Sequence, residues 1–320
     1  MMVKNVLTDA DAKSAREQWF RFLDVVEPCR AELHAYCLSL TRTIWDAEDL
    51  VQDTLLKGYA MAARGDLHGV DGPVRNTKAY LFRVASNHWI DQQRKSRRGQ
   101  LQWQAEPEPT IETEEVRPAI EKALQLSSPQ EFAALVLKEG YDFTLEEIAD
   151  FVGTSVGAIK SALSRGRRKM ALDAPLPPVD AESRQIAQKF ADAINRQDLD
   201  GVMNLMAEKM SLLVCNVGGG RGDDGEWTKS SVRDAKAKYA ELEGEALVLF
   251  YDSAGTATYV VRIAASNGEV VRLTDYCYAP ETLNYVAREL GLEMQTRGYH
   301  QPPQILAKMI AGTTLPWLSE

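Results

Sequence analysis

The sequence predicts two all-α domains followed by an α+β domain with a curved antiparallel sheet. Apolar residues recur at helical spacing in the first 172 residues, two linker-like stretches divide the chain into three blocks, and strand signals appear only after residue 210. A chain of 320 residues can form two or three domains, each with its own hydrophobic core.

Two linkers set the predicted boundaries. The first, residues 99–118, is acidic, contains prolines and shows no sustained periodicity, so it is expected to be extended and mobile. The second, residues 173–180, has three prolines in eight residues and is excluded from a helix interior. The predicted domains are therefore residues 1–98, 119–172 and 181–320.

The formal net charge of −9 is unevenly distributed. Residues 1–100 hold 15 Lys and Arg against 13 Asp and Glu, a net of +2, and residues 120–172 hold seven of each. Residues 101–119 hold one against five, a net of −4, and residues 173–320 hold 14 against 21, a net of −7. Because the acidity lies mainly in the first linker and the last block, it says nothing against a local DNA-binding face.

The composition also indicates the compartment and the absence of some site classes. No apolar run reaches the length of a membrane span, and the N-terminus lacks the apolar segment of a signal peptide, so the chain is expected to be cytoplasmic and without a membrane partner. The four cysteines form no CxxC pair and have no histidine at metal-ligand spacing. They are expected to be reduced, mostly buried thiols, with no metal site and no cofactor.

The first block is predicted to be almost entirely helical. Within WDAEDLVQDTLLKGYAMAA (45–63), Asp46 is expected to cap the helix start. The residues that recur at the i, i+3, i+4, i+7 spacing of one buried helix face are Ala47, Leu50, Val51 and Thr54.

A second long helix is predicted over AYLFRVASNHWIDQQRKSRR (79–98), which ends in a basic tail. Phe82 and Trp89 are seven residues apart and share a helix face. Core packing is the expected role for both side chains, and neither is assigned to base stacking.

The second block contains a helix, a short glycine turn and another helix in LEEIADFVGTSVGAIKSALSRGRRKM (145–170). Gly153 allows a tight turn, and Ser155 can cap the helix that follows it. Inward-facing positions are expected at Leu145, Ile148, Ala149, Val152, Val156, Ile159 and Leu163. This order is typical of a helix-turn-helix, whose second helix lies in the DNA major groove. Taken alone, the pattern also fits a helical hairpin with a solvated basic end.

The third block changes from helices to strands. Ile186, Phe190 and Ile194 lie four residues apart on a predicted helix, and a second helix follows it. Asn267-Gly268 between two alternating segments is a strong hairpin signal. Strands are predicted over residues 211–217, 245–251, 256–265 and 269–278.

Three motifs occur in one order: DAEDLVQDTLLKGY (46–59), AYLFRVASNHWIDQQRKSRR (79–98) and the helix-turn-helix with its SRGRRKM ending. Over roughly residues 15–172 they resemble the extracytoplasmic-function sigma factors of bacterial RNA polymerase. The resemblance implies a region 2 helical bundle that binds core polymerase and the −10 element. It also implies an acidic linker and a region 4 helix-turn-helix that reads the −35 element.

The family resemblance assigns roles to three groups of residues. Docking on the coiled coil of the largest polymerase subunit is implied for Asp49, Gln52 and Asp53. Contacts to −10 DNA are implied for Asn87, Asp91, Arg94, Lys95, Arg97 and Arg98. Contacts to −35 DNA are expected at Ser155, Gly157, Lys160, Ser161, Ser164, Arg165, Arg167 and Arg168. Of the −35 group, Lys160 and Arg165 are the best candidates for contacts at or near bases, whereas the later arginines suit phosphates.

The last block resembles the SnoaL-like domains, a cone-shaped α+β fold related to polyketide cyclases. Its glycine-rich stretch is expected to form a flexible loop that contacts another domain through Gly218, Gly219 and Gly220. No catalytic site is expected, because His300 is the only histidine of the block. Carboxylates such as Asp252 and Asp275, together with Tyr276, could line a pocket but usually serve the structure. Whether the cone binds a small molecule is left open.

These features predict a sigma factor that recruits core RNA polymerase to promoter DNA and is modulated by its own C-terminal domain. No enzymatic activity is expected. One alternative is a stand-alone helix-turn-helix regulator with a ligand-sensing cone. Such a regulator would not need the motifs at 46–59 and 79–98. A SnoaL-type enzyme with an accessory DNA-binding region is a further alternative, against which the missing histidine argues.

Overall fold

The computed structural model divides the chain into two compact units, Val25–Pro175 and Met1–Asp24 with Leu176–Glu320. We call them the helical unit and the C-terminal unit. The described residues are 9–41, 43–63, 68–69, 72–73, 77–103, 128–141, 143–166, 178–216, 218–221, 226–232, 234–296 and 298–299.

The helical unit contains two groups of three helices among its described residues. A two-stranded antiparallel ribbon, β1 (His68–Gly69) and β2 (Gly72–Pro73), lies between the second and third helices. The helices are α1 (Asp9–Leu40, in this unit from Val25), α2 (Ile44–Ala63), α3 (Thr77–Trp103), α4 (Pro129–Gly140), α5 (Leu145–Phe151) and α6 (Val156–Gly166).

The apolar stripe predicted on α2 forms part of the core. Its residues Ala47, Leu50, Val51 and Thr54 are each at most 2% exposed, which confirms the periodicity argument. The predicted cap is wrong, because Asp46 lies inside the first turn. Its backbone N–H donates to Thr43 Oγ1 at 3.0 Å, so the hydroxyl of Thr43 serves as the helix cap.

Helix α3 confirms one prediction and corrects another. Phe82 and Trp89 are 0% and 5% exposed, as expected for core residues. The helix continues to Trp103, five residues into the segment that was expected to be extended from residue 99. The first proline of that segment, Pro107, comes later, so nothing in GQLQW forces the helix to stop at residue 98. Residues 104–127 lie outside the described residues.

The C-terminal unit begins with the predicted helix pair and continues with a six-stranded sheet. The strand order is β4-β3-β8-β7-β6-β5. The elements are α7 (Ala181–Asn195), α8 (Leu199–Asn204), β3 (Met206–Val214), β4 (Gly218–Arg221), α9 (Glu226–Val232), β5 (Lys236–Leu242), β6 (Glu245–Tyr251), β7 (Ala257–Ser266), β8 (Glu269–Asp275) and α10 (Pro280–Leu290).

The β7–β8 hairpin has the predicted turn. Asn267 and Gly268 adopt φ values of 57° and 80°, and the flanking Ser266 and Glu269 pair. Two positive φ values in sequence are the signature of a type I′ turn. The sheet is antiparallel, as expected, except that β3 pairs with β8 in parallel. Register shifts between β6 and β7 and between β7 and β8 mark irregularities of the kind that bends strands.

Helix α7 packs on the sheet through the predicted positions. Ile186, Phe190 and Ile194 are at most 1% exposed, and the carboxylate of Asp180 caps the helix by accepting from Ser183 N at 2.8 Å. Helix α10 was not predicted. Its signals were present, since proline stands in its first turn and Gly291 ends it in the left-handed conformation at φ 64°.

The start of α1 groups with the C-terminal unit, which the sequence did not indicate. Within that unit, Trp19 Nε1 donates to the backbone carbonyl of Asn216 at 3.0 Å, and the Trp19 ring stacks on Phe22. All four cysteines are buried thiols, and none of them forms a disulfide. Within the described part of the chain, no helix is both long and apolar enough to cross a membrane.

Candidate functional site

The helix-turn-helix is built as its sequence predicts. The first helix, α5, begins with a reciprocal capping box between Thr144 and Glu147. Gly153 supplies the turn with φ 65°, and Ser155 Oγ accepts from Ala158 N at 3.2 Å to cap α6. Of the seven positions expected to face inward, five are buried: Ile148, Ala149, Val152, Ile159 and Leu163. The other two, Leu145 and Val156, are only half-buried.

The exposed side of α6 carries the candidate DNA-reading residues. The members whose exposure is described are Ser155, Gly157, Lys160 and Ser161, and all four are exposed. Ser164 and Arg165 lie on α6, but their side chains are outside the described set. Arg167 and Arg168 lie outside the described residues altogether. The four exposed positions at and near the start of α6 therefore face solvent.

Helix α3 presents the second candidate DNA surface. Its side chains Asn87, Asp91, Arg94 and Lys95 are exposed. Arg94 Nη1 lies 3.6 Å from Asp91 Oδ1, one turn earlier on the same helix, so this arginine is oriented along the helix surface. Two further basic residues of the expected −10 surface lie on α3 with side chains outside the described set, Arg97 and Arg98.

The candidate polymerase face lies on α2. Asp49 and Asp53 are four residues apart and both partly exposed, as expected for one polar face. Gln52 does not belong to that face, because it is 6% exposed and its Nε2 donates to Glu48 Oε1 at 2.7 Å. Leu56, three residues after Asp53, is 39% exposed and adds an apolar side chain that the sequence reasoning missed.

A buried ionic cluster explains the position of Gln52. Glu48 is fully buried, with Arg30 Nη2 at 2.6 Å from Oε1 and His34 Nε2 at 3.5 Å from Oε2. Burial opposes ionisation of Glu48, but the charges of Arg30 and His34 and the hydrogen bonds from Gln52 and Arg30 outweigh it and lower its pKa. A charge taken out of water needs all of its hydrogen bonds, so Gln52 is drawn inward.

An aromatic joint connects the two groups of helices inside the helical unit. We define it by Tyr36, Phe82, Tyr141 and Phe143. Tyr141 meets the rings of Tyr36 and Phe82 edge-on, with centroid distances of 5.5 and 5.0 Å, and the Phe143 and Phe82 centroids are 5.3 Å apart. Edge-to-face pairs of this kind stabilise beyond their buried area.

Polar contacts surround the aromatic joint. The Tyr141 hydroxyl donates to the carbonyl of Glu32 at 3.4 Å, and Arg83 Nη1 lies 3.3 Å from Asp150 Oδ2. Burial, together with the nearby Cys37 and Glu32, raises the pKa of Tyr141 to about 12, although a hydrogen bond with Ser39 opposes the shift. The phenol therefore stays neutral and keeps its proton for the hydrogen bond. The joint holds α4–α6 directly against α1 and α3.

The glycine-rich stretch is not the loop that was expected. Gly218, Gly219 and Gly220 lie in β4, at the edge of the sheet, where they pair with Val214, Leu213 and Leu212 of β3. Glycine has a low strand propensity. The strand forms nevertheless, because each of the three glycines pairs with a residue of β3. Their interdomain role stays a prediction.

The two carboxylates considered as pocket residues, Asp275 and Asp252, make structural hydrogen bonds. Asp275 is buried and accepts from Trp227 Nε1 at 2.9 Å and from Cys277 N at 2.8 Å. Asp252 accepts from the backbone N–H groups of Ala254 and Thr256 in the β6–β7 turn. Tyr276 is fully buried, and His300 lies outside the described residues. Across the described ranges, no three His, Cys, Asp or Glu side chains gather as metal ligands would.

Family models match both candidate DNA-reading regions. Residues 25–99 match the model described as Sigma-70 region 2, and residues 118–170 match Sigma-70, region 4. The first match includes α2 and most of α3, and the second includes the helix-turn-helix.

The chain is similar to curated ECF RNA polymerase sigma factors. The chain is 29% identical over 218 residues to the ECF RNA polymerase sigma factor SigG of Mycobacterium tuberculosis, a match that covers 56% of this chain and 57% of that relative. It is 32% identical over 150 residues to the ECF RNA polymerase sigma factor EcfG of Rhodopseudomonas palustris, covering 43% of this chain and 76% of the relative. The chain thus spans little more than half the length of the first of these relatives.

The C-terminal unit has neighbours among solved structures. One is a SnoaL-like protein of unknown function from Burkholderia thailandensis, 16% identical, with a TM-score of 0.26. The match covers 31% of this chain and 96% of that protein.

Proposed function

Because this chain belongs to the extracytoplasmic-function family of RNA polymerase sigma factors, we propose that it binds core RNA polymerase in the cytoplasm and directs it to specific promoters. The observation that carries the proposal is the presence of two separate exposed helix surfaces, on α3 and α6, beside an acidic face on α2. The named relatives are sigma factors, which are not enzymes.

The α2 face is the proposed contact for core polymerase. Asp49 and Asp53 place two carboxylates on one face, and the exposed Leu56 adds apolar area beside them. Such a combination suits a cationic helical surface with apolar edges, and the coiled coil of the largest polymerase subunit is the proposed partner. Gln52 has no part in this contact because it is buried.

The two DNA surfaces are proposed to bind different promoter elements. The polar and basic side chains of α3 are proposed to hold the −10 element, with the cationic residues toward its C-terminal end on phosphates. The exposed start of α6, with Lys160 and Ser161, is proposed to enter the major groove at the −35 element.

Replacing Lys160 by alanine is expected to weaken −35 recognition. The loss in binding free energy should be about 1–3 kcal/mol if Lys160 contacts a base, and Arg165→Ala should cause a loss of similar size. The measurement is run-off transcription from matched templates with the native and a scrambled −35 element. Arg97→Ala is the control, because a phosphate contact should weaken all templates equally and reduce the salt dependence. Equal use of native and scrambled templates by the unaltered protein would show that α6 is not the reader.

The aromatic joint keeps the two DNA surfaces close together. By their numbering, the −10 and −35 elements are centred about 25 base pairs apart, which is about 85 Å at about 3.4 Å per base pair. Helix α3 is 27 residues long, which is about 40 Å, and the α4–α6 group packed on it is about 25 Å across. The described helices of a joint-closed unit are therefore shorter than the distance between the two elements. We propose that the joint opens when the protein occupies polymerase and promoter.

The C-terminal SnoaL-like domain is proposed to regulate this activity. It carries most of the net negative charge, and residues up to Asp24 group with it, so it is attached to the helical unit through two chain segments. Two attachments raise the effective concentration of the domain, and even a weak contact with the sigma domains would be populated.

Deleting residues 181–320 is expected to change promoter-specific transcription at least several-fold. Deleting only residues 300–320, an apolar tail in the sequence, should give a different and higher activity. A further variant that also lacks residues 1–24 controls for the loss of the Trp19 contact with Asn216. Run-off transcription at equal protein concentrations compares them with the full chain. Indistinguishable activities would remove the regulatory role.

A further inference from the structure

His88 lies between the proposed polymerase helix and the proposed −10 helix. It stands on α3, and its Nε2 lies 2.8 Å from Asp53 Oδ2 on α2. The other ring nitrogen, Nδ1, contacts Lys57 Nζ, also on α2, and the amide of Gln92 lies 3.0 Å from Nε2. The His88 side chain is only 16% exposed, so these partners surround it. No sequence motif had singled it out.

The two α2 partners match an imidazole that donates from Nε2 and accepts at Nδ1. A carboxylate can only accept, so Nε2 must carry the proton that bonds Asp53. An ammonium can only donate, so Nδ1 must be the unprotonated nitrogen that accepts from Lys57. One ring thus satisfies both of its neighbours on α2 at once, and its orientation is fixed from two sides. The amide nitrogen of Gln92 can only donate, so it is a close contact of the protonated Nε2 and not a hydrogen-bond partner.

The contact separates two charges that would otherwise pair. Asp53 and Lys57 are four residues apart on α2, the spacing at which an acid and a following lysine form an ion pair on a helix surface. The pKa of Lys57 is lowered, chiefly by burial and also by the charge of Lys95. The carboxylates of Asp53 and Asp91 act in the opposite direction, so all these charges lie close to Lys57. The imidazole engages the ammonium with one nitrogen and the carboxylate with the other. Among the described residues only Oδ2 of Asp53 is engaged, which leaves Oδ1 for another partner.

We propose that His88 is a positioning residue, which holds the Asp53 carboxylate oriented for core polymerase and ties α2 to the −10 helix. The proposal rests on the proposed function of Asp53. Asn87 is the neighbour of His88 in sequence, and Asp91 follows three residues later on α3. A polymerase contact that moves Asp53 is therefore transmitted through one side chain to the surface proposed for −10 DNA.

A double-mutant cycle with Asp53→Ala and His88→Ala in the full-length protein tests the inference. The dissociation constant for purified core polymerase is measured for all four combinations. His88→Ala is expected to weaken binding about five- to tenfold when Asp53 is present and to have no effect in the Asp53→Ala background. His88→Gln should restore most of the affinity, because its amide N–H can donate to Asp53.

Thermal unfolding of each variant separates positioning from a merely structural role. A structural role would lower the melting temperature and weaken core binding equally in both backgrounds, and that result would overturn the inference while leaving the Asp53 contact intact. If Asp53→Ala alone leaves core binding unchanged, both the proposed docking role and the role of His88 are overturned. Recovery by glutamine with an unchanged melting temperature is the supporting result.

Discussion

Replacing both Asp49 and Asp53 by arginine is expected to abolish binding to core polymerase, with a loss of at least about 100-fold in affinity. The two carboxylates lie four residues apart on one face of α2, so they engage one cationic surface together. Reversal of both charges removes two attractive contacts and places two repulsive ones against the same partner. Co-purification with core polymerase and a binding titration measure the effect.

The control for this change reverses two exposed carboxylates elsewhere. Asp192→Arg with Asp200→Arg alters the net charge by the same amount but lies on α7 and α8 of the C-terminal unit. It should leave core binding within about twofold of the unaltered protein, since distant exposed charges are largely screened. Helical content, followed by circular dichroism, should be unchanged in both variants. A folded Asp49/Asp53 variant that still binds core polymerase contradicts the docking proposal.

Replacing Tyr141 by alanine is expected to open the aromatic joint and raise transcription at limiting protein concentration. The change removes the two edge-to-face contacts with Tyr36 and Phe82 and the hydrogen bond to Glu32. Together these contribute about 1–3 kcal/mol, so the ratio of open to closed molecules should rise about 5- to 150-fold. Fluorescence energy transfer between labels on α3 and α6 reports the opening directly.

Tyr239→Ala provides the matched control for the joint. Tyr239 lies on β5 and its hydroxyl donates to Glu241, so its loss removes a similar side chain from the C-terminal unit. It should alter neither the energy transfer nor the transcript yield. If Tyr141→Ala opens the joint without raising transcription, the closed form does not limit activity. If it leaves the energy transfer unchanged, the aromatic contacts do not hold the joint.

The helix-turn-helix could be predicted residue by residue because its determinants are local. Gly153 supplies the left-handed turn, Ser155 caps α6 within three residues, and Ile159 faces inward by helical spacing alone. The Asn267-Gly268 hairpin was predictable for the same reason, since a type I′ turn depends on two adjacent residues.

Features that depend on residues far apart in the chain could not be predicted from the sequence. Helical periodicity places Gln52 on the surface of α2. Its side chain instead turns inward to the buried carboxylate of Glu48, which is held by Arg30, 18 residues earlier in the chain. Phe82 was correctly predicted to be buried, but its partner Tyr141 comes from the next predicted domain. The parallel pairing of β3 with β8 joins strands more than 50 residues apart and left no local signal.

Run-off transcription with purified core RNA polymerase over a genomic promoter library tests the central claim most directly. The sigma-factor proposal predicts template-specific transcripts that require this chain, and that disappear with the Asp49→Arg, Asp53→Arg variant while the Asp192→Arg, Asp200→Arg control retains them. A stand-alone regulator would instead bind its DNA equally well without polymerase. The absence of any template-specific transcript that depends on the full-length protein would contradict the proposal.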